Sequence, residues 1–227
     1  YDMEGAAVSP EGSRILYWGV SFEGIRPDYR QLMLYDLATG QTRSLVPDGK
    51  YRITQVGWWG TDIWFEGGDP HTSVSRSPKL YLLNPATGDC RTFCAPDGFL
   101  GTSAIGDMSL GGGKVCAVQG DSLYAVRLQR DVTALLRFDK AGNFAPVASY
   151  EGIACFDIIG ENAYLAAFRD HRPQELYRQP LSGGEPERLT QFHDAFLETR
   201  QISRPEHITF RSRDGQEVDG WVIRPSG

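Results

Sequence analysis

The sequence predicts an all-β protein, a β-propeller of about four four-stranded blades followed by a C-terminal β-hairpin. Three observations carry that reading. A segment recurs: Leu32-Met33-Leu34-Tyr35-Asp36-Leu37-Ala38-Thr39-Gly40 returns as Leu80-Tyr81-Leu82-Leu83-Asn84-Pro85-Ala86-Thr87-Gly88, more loosely as Leu135-Leu136-Arg137-Phe138-Asp139-Lys140-Ala141-Gly142, and again as Leu176-Tyr177-Arg178-Gln179-Pro180-Leu181-Ser182-Gly183-Gly184. Measured at Asp36, Asn84, Asp139 and Pro180, the copies stand 48, 55 and 41 residues apart, the length of one propeller blade at roughly 40 to 50 residues. An aliphatic and aromatic run that leads into a turn residue and then a glycine is a hairpin signature. Finally, no window sustains an apolar period of 3.6 residues for three turns, so helices are not expected.

The elements follow in order. The first blade, near 5–50, has a turn at Ser9-Pro10-Glu11-Gly12, a strand from Arg14 to Gly19, the recurring strand, and a short outer strand from Thr42 to Val46. The second, near 51–98, turns at Gly60-Thr61-Asp62, continues from Ile63 to Glu66, and ends on Cys90 to Ala95. The third, near 99–150, turns at Gly111-Gly112-Gly113, continues from Lys114 to Gln119, and ends on Phe144 to Ser149. The fourth, near 151–192, contributes Ala163 to Phe168 and ends on Glu187 to Thr190. A linker is expected over 193–204. Beyond it, Pro205 to Ser212 and Gln216 to Ile223 read as two strands joined by Arg213-Asp214-Gly215. A lone hairpin cannot bury its own face, so it reads as the opening of a further domain. Four blades close a ring less often than six to eight, and a longer parent is expected.

Composition narrows the function. The chain is 41% hydrophobic and 23% charged, with 26 Gly and 13 Pro, enough apolar material for a core punctuated by turns. Lys and Arg number 23 against 29 Asp and Glu, a net charge of -6 that works against polyanion binding, so no nucleic-acid partner is expected. No apolar run reaches the roughly 18 to 20 residues of a membrane helix, and no membrane partner is expected. The sequence opens on Tyr1 rather than Met, so the native amino terminus is expected upstream and a targeting signal is left unjudged. Cys90, Cys94, Cys116 and Cys155 are too few and too irregular for a disulfide scaffold. Along a strand, Cys90 and Cys94 would stand about 13 Å apart, too far to share a zinc ion or a disulfide. Reduced, half-buried thiols of a cytoplasmic protein are the expectation.

Three pieces then stand in a telling order. Pro173-Gln174-Glu175-Leu176-Tyr177 precedes Leu189-Thr190-Gln191-Phe192-His193-Asp194-Ala195-Phe196-Leu197, and Pro205-Glu206 to Phe210 is followed by Ser212-Arg213-Asp214-Gly215 and Gly220-Trp221. Together they resemble the prolyl oligopeptidase family of serine peptidases, nearest its acylaminoacyl-peptidase and dipeptidyl-peptidase branch. The first is similar to that family's last-blade segment. The second is similar to the strand and linker leaving the propeller, with His193 where the family more often has Asn. The third is similar to the hairpin that opens the α/β-hydrolase domain. The resemblance implies a seven-bladed propeller capping a hydrolase that bears Ser, Asp and His. This chain would then hold about the last four blades and, at 205–227, the start of the hydrolase domain, and peptide substrate would be met through the missing remainder.

Catalytic chemistry is not expected within the chain itself. A nucleophile of this kind sits in Gly-x-Ser-x-Gly, because side chains would clash on its tight strand-to-helix turn. Asp107-Met108-Ser109-Leu110-Gly111 comes nearest, yet Asp107 replaces the first glycine. Gly113-Lys114 imitates a phosphate loop, but Met108 and Val115 replace its required residues. His71, His171, His193 and His207 lack metal-ligand spacing, so neither a metal nor a cofactor is expected. Trp58, Trp59 and Trp64 read as packing between blades rather than a ligand platform.

Alternating strand direction places the second-to-third connections of all blades on one face, where the polar loops Phe22 to Arg30, Asp69 to Lys79 and Arg169 to Gln174 would lie. Arg26, Asp28, His71, Arg76, Arg169, His171 and Arg172 are therefore the candidates for a rim that gates substrate or meets the hydrolase domain. Two other functions remain open: a stand-alone propeller that binds a protein or carbohydrate, and a propeller-type oligogalacturonate lyase, which would need clustered histidines. Because repeats bury their core by stacking, self-association through exposed blade faces is also expected.

Overall fold

The computed structural model describes residues 1–101, 113–129 and 132–225. Four four-stranded sheets follow one another along the chain, each with its strands in sequence order. The first comprises β1 (Asp2–Val8), β2 (Arg14–Val20), β3 (Gln31–Asp36) and β4 (Thr42–Ser44). The second comprises β5 (Arg52–Trp59), β6 (Asp62–Gly68), β7 (Lys79–Leu83) and β8 (Cys90–Cys94). The third holds β9 (Cys116–Gln119), β10 (Ser122–Gln129), β11 (Val132–Phe138) and β12 (Phe144–Tyr150). The fourth holds β13 (Gly152–Ile159), β14 (Asn162–Arg169), β15 (Arg172–Pro180) and β16 (Glu187–Arg188). A two-stranded sheet of β17 (Glu206–Arg211) and β18 (Glu217–Val222) closes the series, in antiparallel register from Glu206 opposite Val222 to Arg211 opposite Glu217. The sheets are of the kind that forms propeller blades, as the repeat predicts.

The recurring Asp or Asn has a direct physical role. The Asp36 carboxylate accepts from the backbone N–H of Ala38 and Thr39 at 3.0 and 2.9 Å, and from the Thr39 hydroxyl at 3.0 Å. Asn84 Oδ1 accepts from the backbone of Ala86 and Thr87 at 2.8 and 3.2 Å. Asp139 accepts from the backbone and side-chain amides of Asn143 at 2.9 and 2.8 Å. In each case a short acceptor takes over backbone donors that the turn would leave unpaired. The fourth copy has Pro180 at this position and closes through Gly183 N–H to the Pro180 carbonyl at 3.1 Å. Gly142, in the third copy, is forced by contact as well as by φ of +98°, because a Cβ there would lie 1.9 Å from the Phe93 carbonyl oxygen.

Contact density divides the chain into two compact units. One contains residues 1–100, 118–124 and 137–145, and the other residues 101–117, 125–136 and 146–227. In the first unit, Leu16, Leu32, Ile63, Phe65 and Leu83 are fully buried in one cluster with Trp58. Trp58 Nε1 donates to the Ala7 carbonyl at 3.1 Å, tying the second sheet to the first as the packing role of the tryptophans requires. Trp59 and Trp64 are also buried. In the second unit, Leu135, Ile153, Ala163, Leu165 and Ala167 are fully buried.

Three expectations are corrected. Lys114 to Gln119 does not follow the first turn of the third sheet. It supplies β9, the first strand, and the second is β10, reached through a turn at Gly120. The continuous burial of Leu123 to Arg127 hides the alternation that marks a strand with one wet face, so this segment carried no obvious signal. The Gly111-Gly112 part of the expected turn, and the segment around Ser109, lie outside the described residues. Arg169 to Gln174 is not a long loop. β14 and β15 meet through Asp170 and His171 alone, with Arg169 paired to Arg172 and φ of 58° and 57° at the two turn residues. Neither is a glycine, so the usual marker of that left-handed turn is missing. Against the expectation of no helices, α1 (Asp194–Glu198) forms one short helical turn within residues 193–204.

Candidate functional site

In the first unit the connections β2–β3 and β6–β7 are held together by a residue that sequence reasoning missed. Arg52 opens β5 with its side chain only 13% exposed. It pairs with Asp28, and its Nη2 donates to the carbonyls of Pro70 and Thr72 at 3.3 and 3.0 Å. The β6–β7 loop is further shaped from within. Asp69 Oδ1 accepts the His71 N–H at 2.8 Å, the Asp69 carbonyl accepts the Thr72 hydroxyl at 3.0 Å, and Ser77 Oγ accepts the Gly98 N–H at 2.9 Å. Between this loop and the ends of β6 and β7 lies a cleft of 390 Å³, lined among others by Gly67, Gly68, Asp69, Arg76, Lys79 and Tyr81. Two cations and one carboxylate give it a positive balance.

Beneath the cleft the chemistry is inert. Tyr81 stacks on Phe65 with centroids 4.8 Å apart, and Tyr51 packs against both rings. Burial pushes the Tyr51 hydroxyl up to about 12, with Cys90 adding to the effect. Cys90 opens β8 opposite Leu83, at the other end of β7, and partial burial raises its thiol above the ordinary value, so it stays protonated at neutral pH.

The second unit holds two networks. Glu175 is 2% exposed, yet its carboxylate accepts from the Thr190 hydroxyl, from the backbone N–H of Phe192 and His193 at 3.2 and 3.1 Å, and lies 3.2 Å from His193 Nδ1. Burial raises its pKa, and the hydrogen bonds from Thr190, Phe192 and His193 outweigh that, leaving it below the ordinary glutamate value. Asp194 accepts from Arg172 at 2.6 Å and from Arg188 at 2.8 and 2.7 Å. The two networks lash residues 190–194 to β15 and β16. The segments around Glu175 and Thr190–Asp194, which carried the family resemblance as separate pieces, are thus bonded to each other. The sequence signal for Glu175 is its phase, because Glu175, Tyr177 and Gln179 form the buried alternate face of β15 and the first of them is ionisable.

The seven candidate rim residues divide between the units. In the first, Arg26 pairs with Glu4 and, at 3.2 Å, with Asp2, while Asp28 and the loop bearing His71 are brought together by Arg52. Arg76 lines the cleft. In the second, Arg169 pairs with Glu185 at 2.9 Å, the His171 N–H donates to Glu151 at 3.1 Å, and Arg172 pairs with Asp194. Among the described residues no group of three His, Cys, Asp or Glu side chains is placed to hold a metal ion. No helix among them is long and apolar enough to cross a membrane.

Comparison with known proteins places this architecture. No family model matches the chain. An uncharacterized peptidase of Bacillus subtilis, YuxL, is 29% identical over 136 residues, covering 57% of this chain and 20% of that protein. Among solved structures, an acylaminoacyl peptidase of Pyrococcus horikoshii superposes with a TM-score of 0.70 at 20% identity, over 98% of this chain and 33% of its own. A puromycin-hydrolyzing peptidase of Mycobacterium tuberculosis gives 0.70 at 16% identity, over 99% and 34%. A puromycin hydrolase gives 0.67 at 17% identity, over 98% and 34%. At such identities the likeness is one of fold, and it agrees with the resemblance drawn from the sequence. This chain spans about a third of the solved peptidases and its match a fifth of the curated one.

Proposed function

We propose that this chain is the non-catalytic propeller portion of a serine peptidase, and that its role is to restrict access so that short peptides, rather than folded proteins, reach a hydrolase domain outside this sequence. The observation that carries the reading is the succession of four four-stranded sheets, a tethered linker and a hairpin, superposing over nearly its whole length on an acylaminoacyl peptidase. In this reading the Glu175 and Asp194 networks fix the angle at which the chain leaves the last sheet.

Two measurements test it. The chain alone should release no product from aminoacyl or acylaminoacyl chromogenic substrates, since no Gly-x-Ser-x-Gly occurs in it. Activity abolished both by a serine-directed phosphonate and by Ser109→Ala would overturn the non-catalytic assignment. In the protein that carries the hydrolase domain, deleting residues 1–192 should raise cleavage at an exposed loop of a folded protein at least tenfold relative to a tripeptide substrate. An unchanged ratio would sink the access role.

A further inference from the structure

The arginines of the candidate loops are nearly all matched to carboxylates. Arg26 meets Asp2 and Glu4, Arg30 meets Glu4, Arg52 meets Asp28, Arg169 meets Glu185, and Arg172 shares Asp194 with Arg188. Arg76 and Lys79 differ. Among the described residues neither has a carboxylate within ion-pair distance, and both line the 390 Å³ cleft beside the β6–β7 loop. The cleft is held in shape by the Arg52 clamp on Pro70 and Thr72 and by the Gly98 N–H on Ser77. Gly67 and Gly68 line it. A Cβ at Gly67 would come within 3.1 Å of the Phe65 ring and 3.3 Å of the Tyr81 ring, whereas one at Gly68 would make ordinary contact at 3.6 Å with Arg52.

We propose that this cleft binds the free carboxylate of a short peptide. The inference rests on the reading of the chain as the access portion of a peptidase and names what it recognises. Arg76 and Lys79 supply the opposing charge, with the guanidinium offering the planar pair of donors that suits a carboxylate. The Ser77 hydroxyl, whose oxygen already accepts from Gly98, retains a proton to donate. Asp69 keeps one carboxylate oxygen free of the His71 N–H, and that oxygen accepts the N–H of the peptide's last residue. The same aspartate disfavours a dianion, which separates a peptide carboxylate from inorganic phosphate.

Titration calorimetry on the whole chain with acetyl-trialanine and with its amide tests this. The acid should bind at least tenfold more tightly than the amide, and the double substitution Arg76→Ala, Lys79→Ala should erase that preference. Because Arg76 and Lys79 are both exposed, the double variant should keep the parent's far-ultraviolet circular dichroism and urea midpoint, so that a lost preference reports binding and not folding. Inorganic phosphate at matched ionic strength should displace less than a tenth of the bound peptide. Equal binding of acid and amide, a preference that survives the double substitution, or phosphate binding as tight as the peptide's would each overturn the carboxylate assignment. Those outcomes leave the access role standing, because it is read from protein against tripeptide cleavage by the larger enzyme.

Discussion

Glu175 shows how one ionised side chain can be worth burying. Three donors fixed by the chain and the His193 ring surround it, so its charge is stabilised in the fold and only solvated in the unfolded chain. Glu175→Gln should therefore cost about 1 to 3 kcal/mol at pH 7. Because the folded pKa lies below the unfolded value of about 4.3, the contribution is complete above that value and fades as pH falls through the folded one. Urea titrations should show parent and variant converging progressively as the pH falls below about 4.3, and a gap that persists unchanged on acidification would place the effect in packing instead. Gly142 offers a second test at this scale. Gly142→Ala meets the Phe93 carbonyl and strains a left-handed backbone, so a loss of about 3 kcal/mol or more is expected, against about 1 kcal/mol for Gly215→Ala, where φ is +85° and nothing lies within 4 Å. Equal urea midpoints for the two variants would refute the contact argument.

At the scale of elements, the β14–β15 connection carries a local strain that a sequence change should relieve. Asp170 and His171 both occupy the left-handed region, which Asn and Gly tolerate better. The double substitution Asp170→Asn, His171→Gly should stabilise the chain by about 1 kcal/mol, less whatever the exposed Arg169–Asp170 and His171–Glu151 pairs contribute. A lower urea midpoint would show that the two pairs outweigh the strain. This turn also marks where the sequence stops being readable. The hairpins headed by Asp36, Asn84 and Asp139 were legible because an Asx side chain and a nearby glycine announce them. The one at Asp170 announces nothing, and the polar run around it looked like a loop. β10 escaped for the opposite reason, since buried residues at successive positions erase the period of two. At the site, Arg26, Asp28, His71 and Arg76 could be picked out as polar loop residues. Arg52 could not, because its role rests on carbonyls 18 and 20 residues away.

For the whole molecule, the expectation of self-association becomes a measurement. Light scattering over a tenfold dilution should show an apparent mass that rises with concentration, because Tyr1, Met3 and Val8 at β1, like Ile208 and Phe210 on β17, leave large apolar side chains exposed. A concentration-independent monomer that unfolds cooperatively would refute it. The order of strands has one more consequence. In every four-stranded sheet each strand pairs with its neighbours in sequence, so no described sheet awaits a strand from a later one. During synthesis, the hydrogen bonds of the first sheet can close once Ser44 has cleared the ribosomal tunnel, and the rest can follow in turn, which keeps unpaired strands short-lived on the nascent chain.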